Sequence, residues 1–271
     1  MTNPITTYGL TSVPASPSVL LTSYPGPPQH PTALPITALP IPSTPLATRI
    51  NAYALSNLTP QTYNHSRRVY HYGLAIKNHR FPEWEFSDET YFCACMLHDI
   101  GAMEKNLTST RLSFEFAGGI LALRVLQDVN ADGDVDVDST TGLDGADADG
   151  DIDAEERMHK GQEIAPQDQA ESIAEAIMRH QDLCSQGRIT ALGQLLQLAT
   201  VLDNTGAHES LIHPSTIEDI AKLFPRMKWS SCFVGIIKRE ISLKPWAHST
   251  VLGEEEFPKK ILENTLMAPY E

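Results

Sequence analysis

The stretch DETYFCACMLHDIG, residues 88–101, decides the fold of this chain of 271 residues. Ser87 and two acidic residues precede an unbroken apolar run, which is the pattern of an N-capped helix. Gly101 follows the run, so the helix is predicted to end near it. His98 and Asp99 close the run, and burying them is costly unless each has a partner or a bound cation. The stretch therefore predicts a buried helix that carries a polar pair at its end.

Helical patterns continue through most of the chain, and no alternating strand pattern of useful length occurs. A capping residue or a proline precedes several of these patterns, as Thr59-Pro60 and Ser215 do. We therefore predict an all-α domain over residues 47–271, built as a helical bundle. The predicted helices cover residues 59–77, 88–101, 113–127, 166–182, 189–204, 216–224 and 229–242.

Residues 1–46 form a different kind of segment, an arm rich in proline. Residues 1–48 contain no Asp, Glu, Lys or Arg and hold 11 of the 19 prolines. Because proline fixes φ and lacks a backbone N–H, we expect no helix here. The arm is predicted to be extended, either draped over the domain or disordered.

An acidic insertion, residues 128–163, interrupts the domain. Its 13 acidic and 2 basic residues account for most of the net charge of −14. With almost no large apolar residue it cannot bury a core, so we predict a disordered surface loop. The stretches DVNADGDVDVDS and GADADGDIDAEE resemble incomplete EF-hand loops. Weak Ca²⁺ binding and a merely solvated loop therefore both stay open.

The charge balance, 34 acidic against 20 basic residues, argues against nucleic acid or an anionic membrane surface as a partner. For the helical domain this argument is weaker, because most of the excess charge lies in the insertion. The chain has no apolar run of about 18 residues and no signal-peptide pattern at its start. Its four irregularly spaced cysteines fit a reducing compartment. We expect a cytoplasmic protein.

Polar residues of the metal-ligand type interrupt otherwise apolar helices at three places. They are His65 in TYNHSRRVYHYG, the pair His98-Asp99, and Asp203 in QLLQLATVLDN. Two imidazoles and two carboxylates predict a site for a divalent metal, for which zinc is suitable. Such an ion lowers the pKa of a bound water to about 7 in favourable sites. His180 in AEAIMRHQD is a candidate proton carrier; an imidazole that interacts with the helix dipole is the alternative.

The order H…HD…D on an all-α frame resembles the HD-domain hydrolases, and longer stretches resemble the fungal cyanamide hydratases. These stretches are NHSRRVYHYGLAI, LHDIG, EKNLTSTRLSFEFAGGIL, AEAIMRHQDL, LGQLLQLATVLDN and KPWAHSTVLGE. The resemblance covers residues 47–271 apart from the acidic insertion. It implies a Zn²⁺ ion on His65, His98, Asp99 and Asp203, with a metal-bound hydroxide that attacks the nitrile carbon of cyanamide and yields urea.

The resemblance also implies a substrate pocket, and a homodimer as the assembly. His180 and Thr200 match pocket positions and are the candidate donors to the charge that develops on the nitrile nitrogen. Asn204 is implied to orient the last ligand, and Lys105 lies in a stretch similar to a pocket-forming one. For so small a substrate we expect a narrow, closed pocket lined by aromatic side chains such as Phe114, Phe116 or Trp246.

Two other functions compete with this one. The first is an HD-type phosphohydrolase acting on a nucleotide or a phosphate ester. Its phosphate would need basic residues, and four lie near the motifs: Arg67, Arg68, Lys105 and Arg111. The second is a calcium- or partner-binding protein built on the acidic insertion, with an inactive helical frame. The intact set of predicted metal ligands argues against the second.

Overall fold

Twelve α-helices and two short strands make up the part of the chain that the computed structural model describes, residues 3–24, 30–128 and 163–271. The prediction of an all-α fold is confirmed. Within these ranges no helix combines the length and the apolar character that crossing a membrane requires.

The helices follow one another with short connections. In chain order they are α1 (Pro4–Thr7), α2 (Pro17–Ser23), α3 (Pro45–Asn57), α4 (Pro60–Arg80), α5 (Asp88–Leu97), α6 (Glu104–Ser109), α7 (Phe114–Leu126), α8 (Gln167–Met178), α9 (Ala191–Thr205), α10 (Pro214–Leu223), α11 (Trp229–Leu243) and α12 (Glu256–Leu262). Single 3₁₀ turns cover Ile36–Ala38, Ile100–Ala102, Glu209–Leu211, His248–Leu252 and Ala268–Tyr270. Strands β1 (Ser12–Pro14) and β2 (Arg188–Thr190) pair antiparallel, with Val13 opposite Ile189.

The N-terminal arm is partly helical, so the expectation that it contains no helix is wrong. Proline occupies the first turn of α1, α2 and α3, where its missing N–H costs no hydrogen bond. In each case the residue before the proline caps the helix with its side chain. Val13, Leu20 and Leu39 are fully buried, so the described part of the arm packs against the helices. The domain boundary at residue 46 stays a prediction.

Most predicted helix starts agree with the structure, and one cap differs. Thr59 caps α4 by accepting from the backbone N–H of Thr62, as its position before Pro60 predicts. The predicted cap at Ser215 is wrong. Because Pro214 starts α10, the cap is His213, whose side chain accepts from the backbone N–H of Ser215.

The centre of the molecule is α5, whose last eight residues are all buried. It packs among α3, α4, α8 and α9. The turn after it lies against the start of α7. This close approach is possible because Gly101 has no side chain. A Cβ at that position would lie 2.0 Å from the carbonyl oxygen of Phe114. The glycine therefore brings the end of α5, with His98 and Asp99, against α7.

The chain leaves and re-enters the described core at neighbouring points on either side of residues 129–162. The Arg49 guanidinium donates to the carbonyl oxygens of Val125, Leu126 and Glu163. The backbone N–H of Ala165 also donates to the carbonyl of Leu126. The acidic insertion, with its predicted disorder and its calcium hypothesis, lies outside the described residues except at its two ends.

Candidate metal centre

Four helices bring the predicted polar residues to one place in the core. His65 lies in the first half of α4, and Asp203 lies near the end of α9. His98 and Asp99 directly follow α5, while His180 follows α8 by one residue. All five side chains are buried. Residues that are far apart in the sequence therefore form a single cluster of ligand-type groups.

The three imidazoles present Nε2 to the same space, because each Nδ1 already has an acceptor. His65 Nδ1 lies 2.6 Å from Asp203 Oδ2. His98 and His180 each donate from Nδ1 to the carbonyl oxygen three residues earlier, at 2.7 Å in both cases. An acceptor at Nδ1 keeps the ring proton there. The lone pair on each Nε2 is therefore available to a metal or a substrate.

His65, His98 and Asp99 form a cluster that a metal ion fits. The two Nε2 atoms are 3.2 Å apart, and Asp99 Oδ2 lies 3.7 Å from the first and 3.3 Å from the second. Among the described residues neither oxygen of Asp99 has a hydrogen-bond partner, although both are buried. Such a carboxylate is costly unless a cation neutralises it. Two imidazoles and one carboxylate are a donor set typical of a divalent ion such as zinc.

Asp203 stands behind His65, outside this cluster of three ligand atoms. Arg68 donates to both of its carboxylate oxygens at 2.9 Å, and Arg226 donates to Oδ1 at 2.7 Å. Its Oδ2 also meets the Nδ1 of His65. The sequence predicts Asp203 as a fourth metal ligand, whereas here its oxygens are engaged by two guanidinium groups. In this arrangement Asp203 orients the His65 ring and fixes its tautomer.

The charges of the cluster favour binding of a cation. Burial lowers the pKa of His65 to about 4, and the contact with Asp203 only partly opposes this. Burial also lowers the pKa of His98, but the Asp99 carboxylate outweighs it and leaves that pKa above the ordinary value. For Asp99 the effect of burial is to raise the pKa, but His98 outweighs it and the net pKa is lowered. A metal ion on His98 Nε2 would compete with the proton that Asp99 favours there, and it would supply the positive charge beside this carboxylate.

Thr200 and Asn204 both line the cavity beside the cluster. Thr200 offers it a hydrogen-bond acceptor, and Asn204 offers it a donor. The Thr200 hydroxyl donates to two backbone carbonyls one turn earlier in α9, both at 3.0 Å. Its hydrogen is thus engaged, and a lone pair is left for the cavity. Asn204 Oδ1 accepts from the indole N–H of Trp229 at 2.8 Å. This leaves the amide NH₂ of Asn204 as a donor, and the amide is not bonded to Asp203.

Lys105 is not brought into this group of residues. Its side chain is exposed on α6. The expected aromatic lining also differs: Phe116 and Trp246 are 36% and 62% exposed, while Phe114 packs behind His180 at a ring separation of 5.7 Å. The apolar lining comes instead from Leu183, Val201, Phe233, Leu252 and Phe257. Phe233 and Phe257 stand in none of the motifs quoted above and have the pattern of ordinary core residues.

The cavity beside the cluster is small. Its volume is about 10 Å³, which is room for about one water molecule. Its polar lining consists of His98, Asp99, His180, Gln181, Thr200 and Asn204. A larger cavity of about 720 Å³ lies elsewhere, between α4, the segment around residue 30 and α10, and contains none of the predicted site residues. The functional groups therefore converge on the smaller cavity.

Comparison with known proteins identifies relatives over most of the chain. No protein-family model matches the chain. Two curated proteins of Saccharomyces cerevisiae, cyanamide hydratase DDI2 and cyanamide hydratase DDI3, are each 38% identical to it over 231 residues. The match covers 85% of this chain and 88% of each yeast protein. With a buried cluster of two histidines and an aspartate beside a small cavity, and with this similarity along most of its length, the chain belongs to the cyanamide hydratase family.

Proposed function

We propose that this protein is a cyanamide hydratase, a lyase that adds water to the nitrile carbon of cyanamide and yields urea. The names of the yeast relatives support this proposal. The observation that carries it is the size of the cavity beside the metal-ligand cluster. A space for about one water beside the ligand atoms favours a ligand as slight as the short rod H₂N–C≡N over a larger one.

A phosphohydrolase acting on nucleotides is disfavoured by the same cavity. A drug- or nucleotide-sized ligand needs a pocket of about 300–1,000 Å³. The described residues that line this cavity include no lysine or arginine to hold a phosphate. Arg68 is engaged by Asp203, and Arg67 lies over the ring of Phe224 at 4.5 Å.

A zinc ion would be held by His65 Nε2, His98 Nε2 and a carboxylate oxygen of Asp99. When bound, such an ion lowers the pKa of a water that it holds, to about 7 in favourable sites. Two neighbouring side chains keep the His65 ring in the orientation that metal binding requires. Asp203 fixes the tautomer of His65, and the Trp229 ring stacks on the His65 ring at 4.2 Å.

His180 is the proposed proton carrier of the reaction. Its Nε2 lies 3.8 Å from Asp99 Oδ1 and borders the cavity. Burial, and then the nearby His98, lower the pKa of His180, so the ring is neutral near pH 7. In this state Nε2 accepts a proton from the attacking water and passes it to the nitrile nitrogen. Transfer of the remaining hydroxyl proton to nitrogen converts the isourea to urea.

Asn204 is the proposed donor to the charge that develops on the nitrile nitrogen. Its NH₂ group is available because Trp229 holds the carbonyl end of the same amide. Thr200 is a hydrogen-bond acceptor in this proposal, because its hydroxyl hydrogen is already donated to backbone carbonyls of α9. Its oxygen accepts a hydrogen bond from the amino group of cyanamide. This assignment replaces the prediction that Thr200 is a donor.

The test of the proposed function compares two products. The purified, metal-loaded protein is supplied in parallel with cyanamide and with a panel of nucleoside mono-, di- and triphosphates. Urea is expected from cyanamide, with no phosphate released from any nucleotide. Phosphate release without urea formation would overturn the proposal.

Cytoplasmic location and homodimer formation are part of the same proposal. The four cysteines carry no disulfide in the described structure, which is usual in a reducing compartment. Exposed apolar side chains offer a surface for a second copy: Leu112, Phe116, Trp246 and Val251. Sedimentation equilibrium is expected to give twice the chain mass of 29.8 kDa, and a mass of one chain would contradict the dimer.

A further inference from the structure

The mouth of the small cavity lies between two segments of the chain. Most lining residues are buried, but Leu183 is 39% exposed, and Leu252 and Val201, the latter on α9, are half-buried. Leu183 belongs to the turn that follows α8, and Leu252 ends the 3₁₀ turn His248–Leu252. The width of the mouth therefore depends on what holds these two segments together.

His248 spans the gap between the segments. Its Nε2 lies 3.0 Å from Oδ1 of Asp182, the residue directly before Leu183. On its other side, Nδ1 lies 3.5 Å from Oε1 of Glu115 at the start of α7. The first distance is that of a hydrogen bond, and the second is that of an ion pair. The imidazole therefore lies between two carboxylates and contacts both of them.

Glu115 makes a charged His248 favourable at this position. The carboxylate of Glu115 is fully buried, and among the described residues neither of its oxygens has a hydrogen-bond partner. A buried carboxylate of this kind needs an opposite charge nearby. The Glu115 contact raises the pKa of His248, and Asp182 adds to this effect. The positive charge on the imidazole therefore strengthens the attraction to Asp182.

Other polar contacts hold the same turn to the start of α7 and to α11, where Ser249 Oγ donates to Glu240 Oε2. The backbone N–H of His248 donates to Ser113 Oγ at 2.9 Å. Just before the turn, Lys244 Nζ donates to the carbonyl of Leu112 at 2.7 Å. Within the described part of the chain, the His248–Asp182 pair is the polar link from this turn across the mouth. Its loss would free Leu252 to move away from Leu183 without detaching the turn from α7.

We propose that His248 is a positioning residue that sets the width of the cavity mouth and thereby the size of the nitrile that enters. The proposal deepens the proposed function and rests on it. His248 does not line the cavity, so it acts through Leu252 and Leu183. Without the imidazole, an N-alkylated cyanamide gains access that the native mouth denies.

The test measures the preference between two substrates. The variants are His248→Ala and the conservative His248→Gln, which keeps one hydrogen-bond donor toward Asp182. The matched control is Glu218→Gln, which breaks an exposed ion pair with Lys222 on α10. The ratio of kcat/KM for dimethylcyanamide to that for cyanamide is expected to rise about tenfold or more in His248→Ala. The rise should be smaller in His248→Gln and absent in the control.

Hydrogen exchange provides a readout that does not depend on turnover. In His248→Ala the backbone amides of residues 248–252 should exchange faster, while those of α9 keep the wild-type rate. An unchanged substrate ratio, or an equal loss on both substrates, would overturn the proposal, because a merely structural role lowers both alike. If His248→Ala does not fold, His248→Gln carries the same test. If the wild type forms no urea, the proposed function fails, and unchanged exchange at residues 248–252 then overturns the positioning role.

Discussion

The variant His98→Ala is expected to lose the metal ion and the urea-forming activity together. His98 Nε2 is one of three ligand atoms in the cluster, and it faces both His65 Nε2 and Asp99 Oδ2. Even loss of a group behind a ligand typically costs about 10–100-fold in metal affinity or activity, so loss of a ligand should cost more. We therefore expect activity at the background rate and less than a tenth of the wild-type metal content (about tenfold or more lost).

The control for this variant is His71→Ala, which removes another buried imidazole. His71 lies on α4 and stacks on the ring of Phe224, away from the cluster. Both variants lose a buried ring, so a general effect on folding would appear in both. Metal analysis by mass spectrometry should give full loading for His71→Ala only. Full metal and full activity in His98→Ala would remove His98 from the ligand set.

The variant His180→Ala is expected to keep the metal and to lose the chemical step. His180 borders the cavity but lies outside the cluster of three ligand atoms. Removing a general acid–base group typically lowers kcat by about 10²–10⁴-fold, which is about 2.7–5.4 kcal/mol of transition-state stabilisation. The measurement is kcat for cyanamide together with the metal content of the same sample. His79→Ala, on α4 and outside the lining of this cavity, serves as the control.

Two results would contradict the role given to His180. A metal-free His180→Ala protein would make this residue a ligand or a support of the ligands. A variant with wild-type kcat would show that the proton moves by another route. The metal content and kcat therefore have to be measured on the same preparation of the variant.

Part of the core of the site is predictable from the sequence because two of its residues break a pattern. His98 and Asp99 close an apolar helix, where the cost of burying them demands a partner or a cation. His65 lies among polar residues of α4 and is marked by the order H…HD…D instead. The structure brings all three together and leaves the Asp99 oxygens without a hydrogen-bond partner in the described region.

The surroundings of Asp203 are not predictable in this way. Its position at the end of an apolar helix implies a cationic partner. Together with the two histidines and Asp99, this position predicts a metal as that partner. In the described structure its partners are Arg68, on α4, and Arg226, in the loop before α11, and its role as a metal ligand stays a prediction. Their side chains meet Asp203 only in the folded chain, and a charge demand alone does not distinguish a guanidinium from an ion.

The N-terminal arm shows the limit of composition as a predictor. Eleven prolines suggest that no helix forms, yet Pro4, Pro17 and Pro45 stand in first turns, where proline is favoured. Strands of three residues are also too short to show an alternating pattern. Local position therefore decides the outcome where composition does not.

Hydration of cyanamide is proposed to depend on a metal ion held by the His65–His98–Asp99 cluster. The most direct test removes the metal with a chelator and then titrates Zn²⁺ into the protein while urea formation from cyanamide is measured. The rate is expected to be near background without metal, to rise linearly with added zinc, and to level off at one ion per chain. Full urea formation by the metal-free protein, or a rate indifferent to added zinc, would contradict the claim.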